Sequence, residues 1–83
     1  MAKVNFKEVN MLQMDGSMEV MDIRVKACEE LYWHHDKEVV MLGQRLWRGE
    51  TELSPDEEAI IRKLIAPWPW VSRDAIEKQL AKK

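Results

Sequence analysis

The sequence predicts a mainly α-helical fold, a small bundle with a long or once-broken central helix. The first observation is that apolar or weakly polar residues recur at alternating spacings of four and three from Met21 to Leu46, which places them along one side of a helix. The second is Ser54-Pro55-Asp56-Glu57, which has the hydroxyl, the proline and the acid of a helix N-terminus. Residues 1–83 are interpreted as one small domain.

Residues 1–20 are compatible with a β-hairpin or a flexible arm. Two short apolar segments, Val9–Met14 and Ser17–Val20, flank Asp15-Gly16, which suits a two-residue type I′ turn. That register predicts one mostly apolar face with two cross-strand pairs, Met11 with Val20 and Gln13 with Met18. The alternative is a helix interrupted at Gly16, because methionines continue the helical spacing backwards from Met21.

The central helix is predicted over residues 21–48, because Gly49 follows where the end of a helix favours a left-handed residue. Its seam comprises Met21, Val25, Cys28, Tyr32, His35, Val39, Leu42 and Leu46. A helix of that length would measure about 42 Å, whereas a compact domain of this size is only about 30 Å across. Either the helix breaks at His35-Asp36, where Asp36 would cap a second helix, or it projects and a partner covers the seam.

Two shorter helices are predicted over residues 54–66 and 72–83. The first begins with the Ser54 capping box and ends before Pro67 and Pro69, which lack amide donors. Ser72 is the predicted N-cap of the second.

These two segments resemble the opening helices of winged-helix and helix-turn-helix regulators. The resemblance covers Leu53–Ile65, then Val71–Ile76 and Leu80, about a third of the chain. It implies a small nucleic-acid-binding regulator, in which the last helix would have to read DNA because the sequence ends at Lys83 before a further helix. A net charge of −2 argues against nucleic acid, since such proteins usually carry a basic surface.

No residue is predicted to be catalytic, to bind a cofactor or to bind a metal, and the protein is not expected to be an enzyme. His34-His35-Asp36 is the closest approach to a site, but Glu30, His34 and Glu38 would span two helical turns, too far for one ion. Cys28 is flanked by acids and is interpreted as a small buried hydrophobe.

The tryptophans point towards protein partners. Trp33 and Trp47 form a second stripe beside the seam, whereas Trp68 and Trp70 alternate with prolines in a stiff turn that is either a plug for the core or a recognition surface. The leading hypothesis is a non-enzymatic protein-protein interaction or regulatory module that binds itself or another protein and forms a homo-oligomer through the Met21–Leu46 seam. Its predicted interaction residues are Val25, Tyr32, Val39, Leu42, Leu46, Trp33, Trp47, Trp68 and Trp70.

A cytoplasmic location without membrane contact is expected. The chain has a single cysteine and no N-terminal apolar segment typical of a signal peptide. No apolar stretch approaches the roughly 20 residues that a membrane-spanning helix needs.

Overall fold

The prediction of a mainly α-helical bundle with a long central helix is wrong: the protein has an α+β fold. The computed structural model describes residues 2–81. Within them four helices accompany two separate antiparallel sheets of two strands each. In chain order the elements are β1 (Ala2–Lys3), β2 (Val9–Leu12), β3 (Met18–Met21), α1 (Arg24–Tyr32), α2 (Lys37–Trp47), β4 (Glu52–Leu53), α3 (Pro55–Ile65) and α4 (Trp70–Ala81).

The central segment is broken, as the first of the two alternatives required. Helix α1 ends at Tyr32, and α2 begins after Asp36, whose carboxylate accepts a hydrogen bond from the Glu38 amide at 3.0 Å. This side chain satisfies one of the amides at the start of α2 that have no partner within the helix. Helix α2 then runs back alongside α1. The seam residues of α2 are mostly buried in the core, whereas most of those before the break are exposed.

Residues 9–21 form a hairpin whose register differs by one residue from the predicted one. Leu12 pairs with Met18 and Asn10 with Val20. The Gln13 amide donates to the Ser17 carbonyl oxygen at 2.7 Å, so residues 14–16 form a turn of three residues instead of two. Gly16 alone adopts a positive φ, of 88°, whereas a type I′ turn needs two such residues. A shift of one residue exchanges the two faces of a strand. The predicted pairing of Met11 with Val20 is therefore absent.

The N-terminal segment belongs to the core, which the sequence did not predict. Strand β1 pairs with β4, and Val4 and Phe6 are buried just beyond it. The side chain of Gln79 in α4 holds the following loop by accepting from the Asn5 amide at 2.7 Å and donating to the carbonyl groups of Asn5 and Glu8.

The ends of the helices follow the predicted local signals at Gly49 and Ser54 but not at Ser72. Gly49, with φ of 98°, follows α2, and the amides of Gly49 and Glu50 donate to Leu46 and Arg45, which is a Schellman ending. Ser54 and Glu57 form the predicted capping box of α3. Ser72, however, lies inside α4, which begins at Trp70, two residues before the predicted start. Lys82 and Lys83 lie outside the described residues.

One hydrophobic core joins all of these elements except β3, whose four residues are exposed. Its buried members are Val4, Phe6, Val9, Ala27, Cys28, Leu31, Val39, Leu42, Leu46, Leu53, Ile61, Ile65, Trp68, Ala75, Ile76 and Leu80. Among residues 2–81, none of the helices has the length and apolar character needed to cross a bilayer.

Candidate protein-interaction surface

A groove of about 530 Å³ lies between α1 and α2 on the outer side of the helix pair. We call it the α1–α2 groove. Both helices contribute to its lining, which comprises Val25, Cys28, Glu29, Tyr32, Gly43, Gln44, Trp47 and Arg48.

The floor of the groove is shaped by a glycine. A Cβ atom placed on Gly43 would lie 2.9 Å from the Cβ of Leu31 and 3.3 Å from the carbonyl oxygen of Cys28. Real side chains do not approach so closely, so the absence of a side chain lets α1 and α2 pack at short range. Larger side chains of α1 and α2 then form the two walls of the groove, with Gly43 at its floor.

The walls are large apolar side chains that the fold leaves exposed. Val25 is 65% exposed, Tyr32 49% and Trp47 48%. Trp33, at 76%, extends the apolar surface beyond the corner, because its ring meets that of Tyr32 edge-on with centroids 5.1 Å apart. Contiguous exposed apolar surface of this kind marks interaction sites in folded proteins.

Trp47 is held in place by Arg24. The Arg24 guanidinium lies 5.1 Å from the centroid of the Trp47 ring and donates to the Trp47 carbonyl oxygen at 3.3 Å. The Arg24 guanidinium also forms an ion pair with the Asp22 carboxylate at 2.9 Å. Hydrogen bonds from the Arg24 side chain lower the pKa of the Asp22 carboxyl. A ring fixed in this way loses little conformational freedom when a partner binds it.

The predicted interaction residues fall into two groups. Val25, Tyr32, Trp33 and Trp47 lie on or beside the α1–α2 groove, whereas Val39, Leu42, Leu46 and Trp68 are buried in the core. The Trp68 indole donates to a carboxylate oxygen of Glu30 at 3.2 Å, and the ammonium of Lys26 lies 5.1 Å from its ring. Of the two interpretations of the Trp68 and Trp70 turn, Trp68 fits the core plug.

Trp70 lies elsewhere, on a second apolar surface. It is exposed at the start of α4 and lines a cleft of about 370 Å³ together with Leu12 and Met18 of the hairpin. The structure therefore does not bring Trp70 together with the tryptophans of the groove. The sequence did not predict this cleft, because the register of the hairpin decides which of its residues face α4.

Cys28 and His34 are the side chains with catalytic or metal-binding potential that the sequence analysis considered. Burial raises the pKa of the Cys28 thiol to about 11, which suppresses the thiolate. His34 is exposed, and its Nδ1 accepts from the Asp36 amide at 3.1 Å, a local contact within the turn. Within the described residues no three potential ligands are grouped to hold a metal ion.

Sequence reasoning missed Gly43 and Gln44 as parts of the surface. Gly43 did carry a signal, because a glycine inside an amphipathic helix costs about 1 kcal/mol relative to alanine and often marks a close approach of backbones.

Comparisons of the chain with protein-family models, with curated proteins and with solved structures find no significant match.

Proposed function

We propose that the protein is a non-enzymatic protein-protein interaction module whose binding surface is the α1–α2 groove. The observation that carries the proposal is the exposure of Val25, Tyr32 and Trp47 around a concave floor. Tyrosine and tryptophan dominate the binding energy of many protein interfaces, because each ring buries a large area at a small entropic cost.

The polar groups around the groove also suit a protein partner. Glu29, Gln44 and Arg48 provide one acid, one amide and one base among apolar neighbours. Such a mixture of an apolar centre and a polar rim is typical of protein interfaces.

The distribution of basic side chains supports a protein partner over nucleic acid. On α3 and α4 three of the four basic residues are matched by acids one turn away: Arg62 with Glu58 at 3.0 Å, Lys78 with Asp74 at 3.1 Å and Arg73 with Glu77 at 4.0 Å. A surface that binds phosphates needs a local excess of positive charge. The helix pair that resembles DNA-binding regulators offers instead a balanced set of ion pairs.

The proposal can be tested with a displayed library of amphipathic helical peptides selected on the wild-type protein. Tyr32→Ser removes one wall of the groove, and Met14→Ser, at the fully exposed tip of the hairpin, is the matched control. We expect selected peptides to bind Tyr32→Ser at least about tenfold more weakly, as for a truncated hot spot, and to bind Met14→Ser normally. Failure to enrich any peptide on protein dilute enough to be monomeric, or equal binding to both variants, would overturn the proposal.

A further inference from the structure

We infer that the occupant of the α1–α2 groove is the same groove of a second copy, in a two-fold dimer that sets each α1 against the partner's α2. The inference rests on the proposed function, since it names the partner of that surface. Three properties of the groove support it: its area, the heights of its walls and its charges.

The exposed aromatic area fits an interface between copies. With about 150–250 Å² for each aromatic side chain, the exposed fractions of Tyr32, Trp33 and Trp47 amount to roughly 350 Å². A stable interface takes about 800 Å² from each partner, which is about one seventh of the 5742 Å² surface of this protein. The three rings thus supply nearly half of one partner's share, and Val25, Gln44 and Arg48 lie next to them.

Residues on the two walls of the groove lie at corresponding levels along the axes of α1 and α2, and each large side chain has a complementary position on the other wall. Tyr32 on α1 lies beside Gly43 on α2, since a Cβ on Gly43 would be 3.5 Å from the Tyr32 amide nitrogen. At the other end, Trp47 lies beside the start of α1, where it contacts Arg24.

A two-fold axis parallel to the helices leaves each residue at the same level along the helix axis. It places α1 of one copy opposite α2 of the other. Tyr32 then faces the partner's Gly43, where no side chain occupies the floor, and Val25 faces the partner's Trp47. Each contact occurs twice, as an isologous interface requires.

The charges agree with this orientation. Glu29 makes no ion pair within residues 2–81, and the nearest acid to Arg48 is Glu50 at 3.9 Å. In this arrangement Glu29 on α1 faces the partner's α2, which carries Gln44 and Arg48. Glu29 thus gains an amide and a base on the facing helix, and Arg24, which lies at the level of the partner's Arg48, is already paired with Asp22 at 2.9 Å.

The association itself is measured by sedimentation equilibrium over a dilution series of the full chain. We expect a dimer whose dissociation constant rises at least about tenfold in Val25→Glu, which places a charge in the apolar contact. Met14→Ser should leave that constant unchanged. Urea unfolding of each variant shows whether it is still folded, and Tyr32→Ser provides a second interface variant if Val25→Glu is not.

The orientation is measured by disulfide trapping in a Cys28→Ala background. Separate Val25→Cys and Trp47→Cys variants are mixed and oxidised, so that a bond between them can form only between copies. We expect a mixed disulfide dimer well in excess of the dimer that either variant forms alone. Predominant Val25→Cys self-linkage would mean that α1 faces α1 and would overturn the arrangement.

Failure of this inference is distinguishable from failure of the proposed function. A wild-type monomer up to millimolar concentration overturns the second copy as occupant. If selected helical peptides still depend on Tyr32, the groove remains an interaction surface for another protein. If they do not, both proposals fall.

Discussion

Gly43 of α2 faces Leu31 of α1 so closely that a Cβ atom at position 43 would lie 2.9 Å from the Leu31 Cβ. This contact fixes the separation of the two helices that form the α1–α2 groove. It also explains why a helix of the core contains a glycine despite the cost to helix propensity.

Gly43→Ala should destabilise the protein. The substitution gains up to about 1 kcal/mol of helix propensity, but overpacking at a tight core contact costs about 1–3 kcal/mol. We expect a net loss of up to about 2 kcal/mol in the free energy of unfolding, measured with urea. Gln44→Ala, on the next and exposed residue, is the control and should change it by less than about 0.5 kcal/mol. A stabilised Gly43→Ala would show that the helices separate without cost.

Trp68 and Trp70 should differ sharply when truncated. Trp68 is buried and donates to Glu30, whereas Trp70 is exposed. Removal of a buried aromatic ring costs about 3–5 kcal/mol, so Trp68→Ala should unfold the protein or lower its stability by that amount. Trp70→Ala serves as the matched substitution and should cost less than about 1 kcal/mol. Equal losses in thermal or urea unfolding would contradict the assignment of Trp68 to the core.

Glu57 should make the stability depend on pH in the acid range. The hydrogen bond from the Ser54 amide, followed by contact with Arg45, holds the pKa of the Glu57 carboxyl below its ordinary value. A carboxyl with a lower pKa in the folded state stabilises the fold above its unfolded pKa of about 4.3, and this stabilisation is lost as pH falls through the folded pKa.

Glu57→Gln isolates this effect. The difference between wild type and variant in free energy of unfolding should be largest near pH 7 and shrink towards pH 3. Urea titrations at several pH values measure it. A difference that stays constant with pH would mean that ionisation of Glu57 does not contribute.

Cys28 should be chemically inert in the folded protein. Its thiol is buried and burial raises its pKa to about 11, so the reactive thiolate is scarce at pH 8. We expect reaction with a disulfide reagent such as 5,5′-dithiobis(2-nitrobenzoate) to follow global unfolding, and to accelerate in urea in step with the loss of helical circular dichroism. Rapid stoichiometric reaction without urea would contradict this burial.

Gln79 should connect the C-terminal helix to the N-terminal loop. Its side chain makes three hydrogen bonds to the backbone of Asn5 and Glu8. Gln79→Ala removes the partners of two partly buried backbone groups of Asn5, at a cost of about 1–3 kcal/mol. Hydrogen exchange of the Asn5 amide should also accelerate more than that of the α3 amides. Glu77→Ala on the exposed side of α4 is the control, and the proposed connection fails if both variants exchange alike.

Local signals in the sequence predicted features that involve only a few adjacent residues. The Ser54 capping box, the Asp36 cap and the glycine after α2 all follow from hydrogen bonds between near neighbours. The same reasoning failed at Ser72, where the helix begins earlier at Trp70. It also misjudged the hairpin register, because Asp15-Gly16 fits a longer loop as well as a two-residue turn.

The candidate surface was predictable in part. The exposed Val25, Tyr32, Trp33 and Trp47 were recognised as interaction residues from their size and spacing, and their role in binding stays a prediction. Helical spacing could not separate them from Leu42 or Leu46, since a buried stripe and an exposed one have the same period.

By itself the sequence determined the break at Asp36, the capping box at Ser54 and the helix ending at Gly49, because each depends on the backbone and side chains of a few neighbouring residues. Tertiary structure alone decided that the fold is α+β, through the pairing of β1 with β4, some fifty residues apart. It also decided that Phe6 is core and Tyr32 is surface. The physical reason is that burial depends on which distant segments pack together, and Gly43 permits the packing of α1 against α2 that leaves the aromatic groove facing outwards.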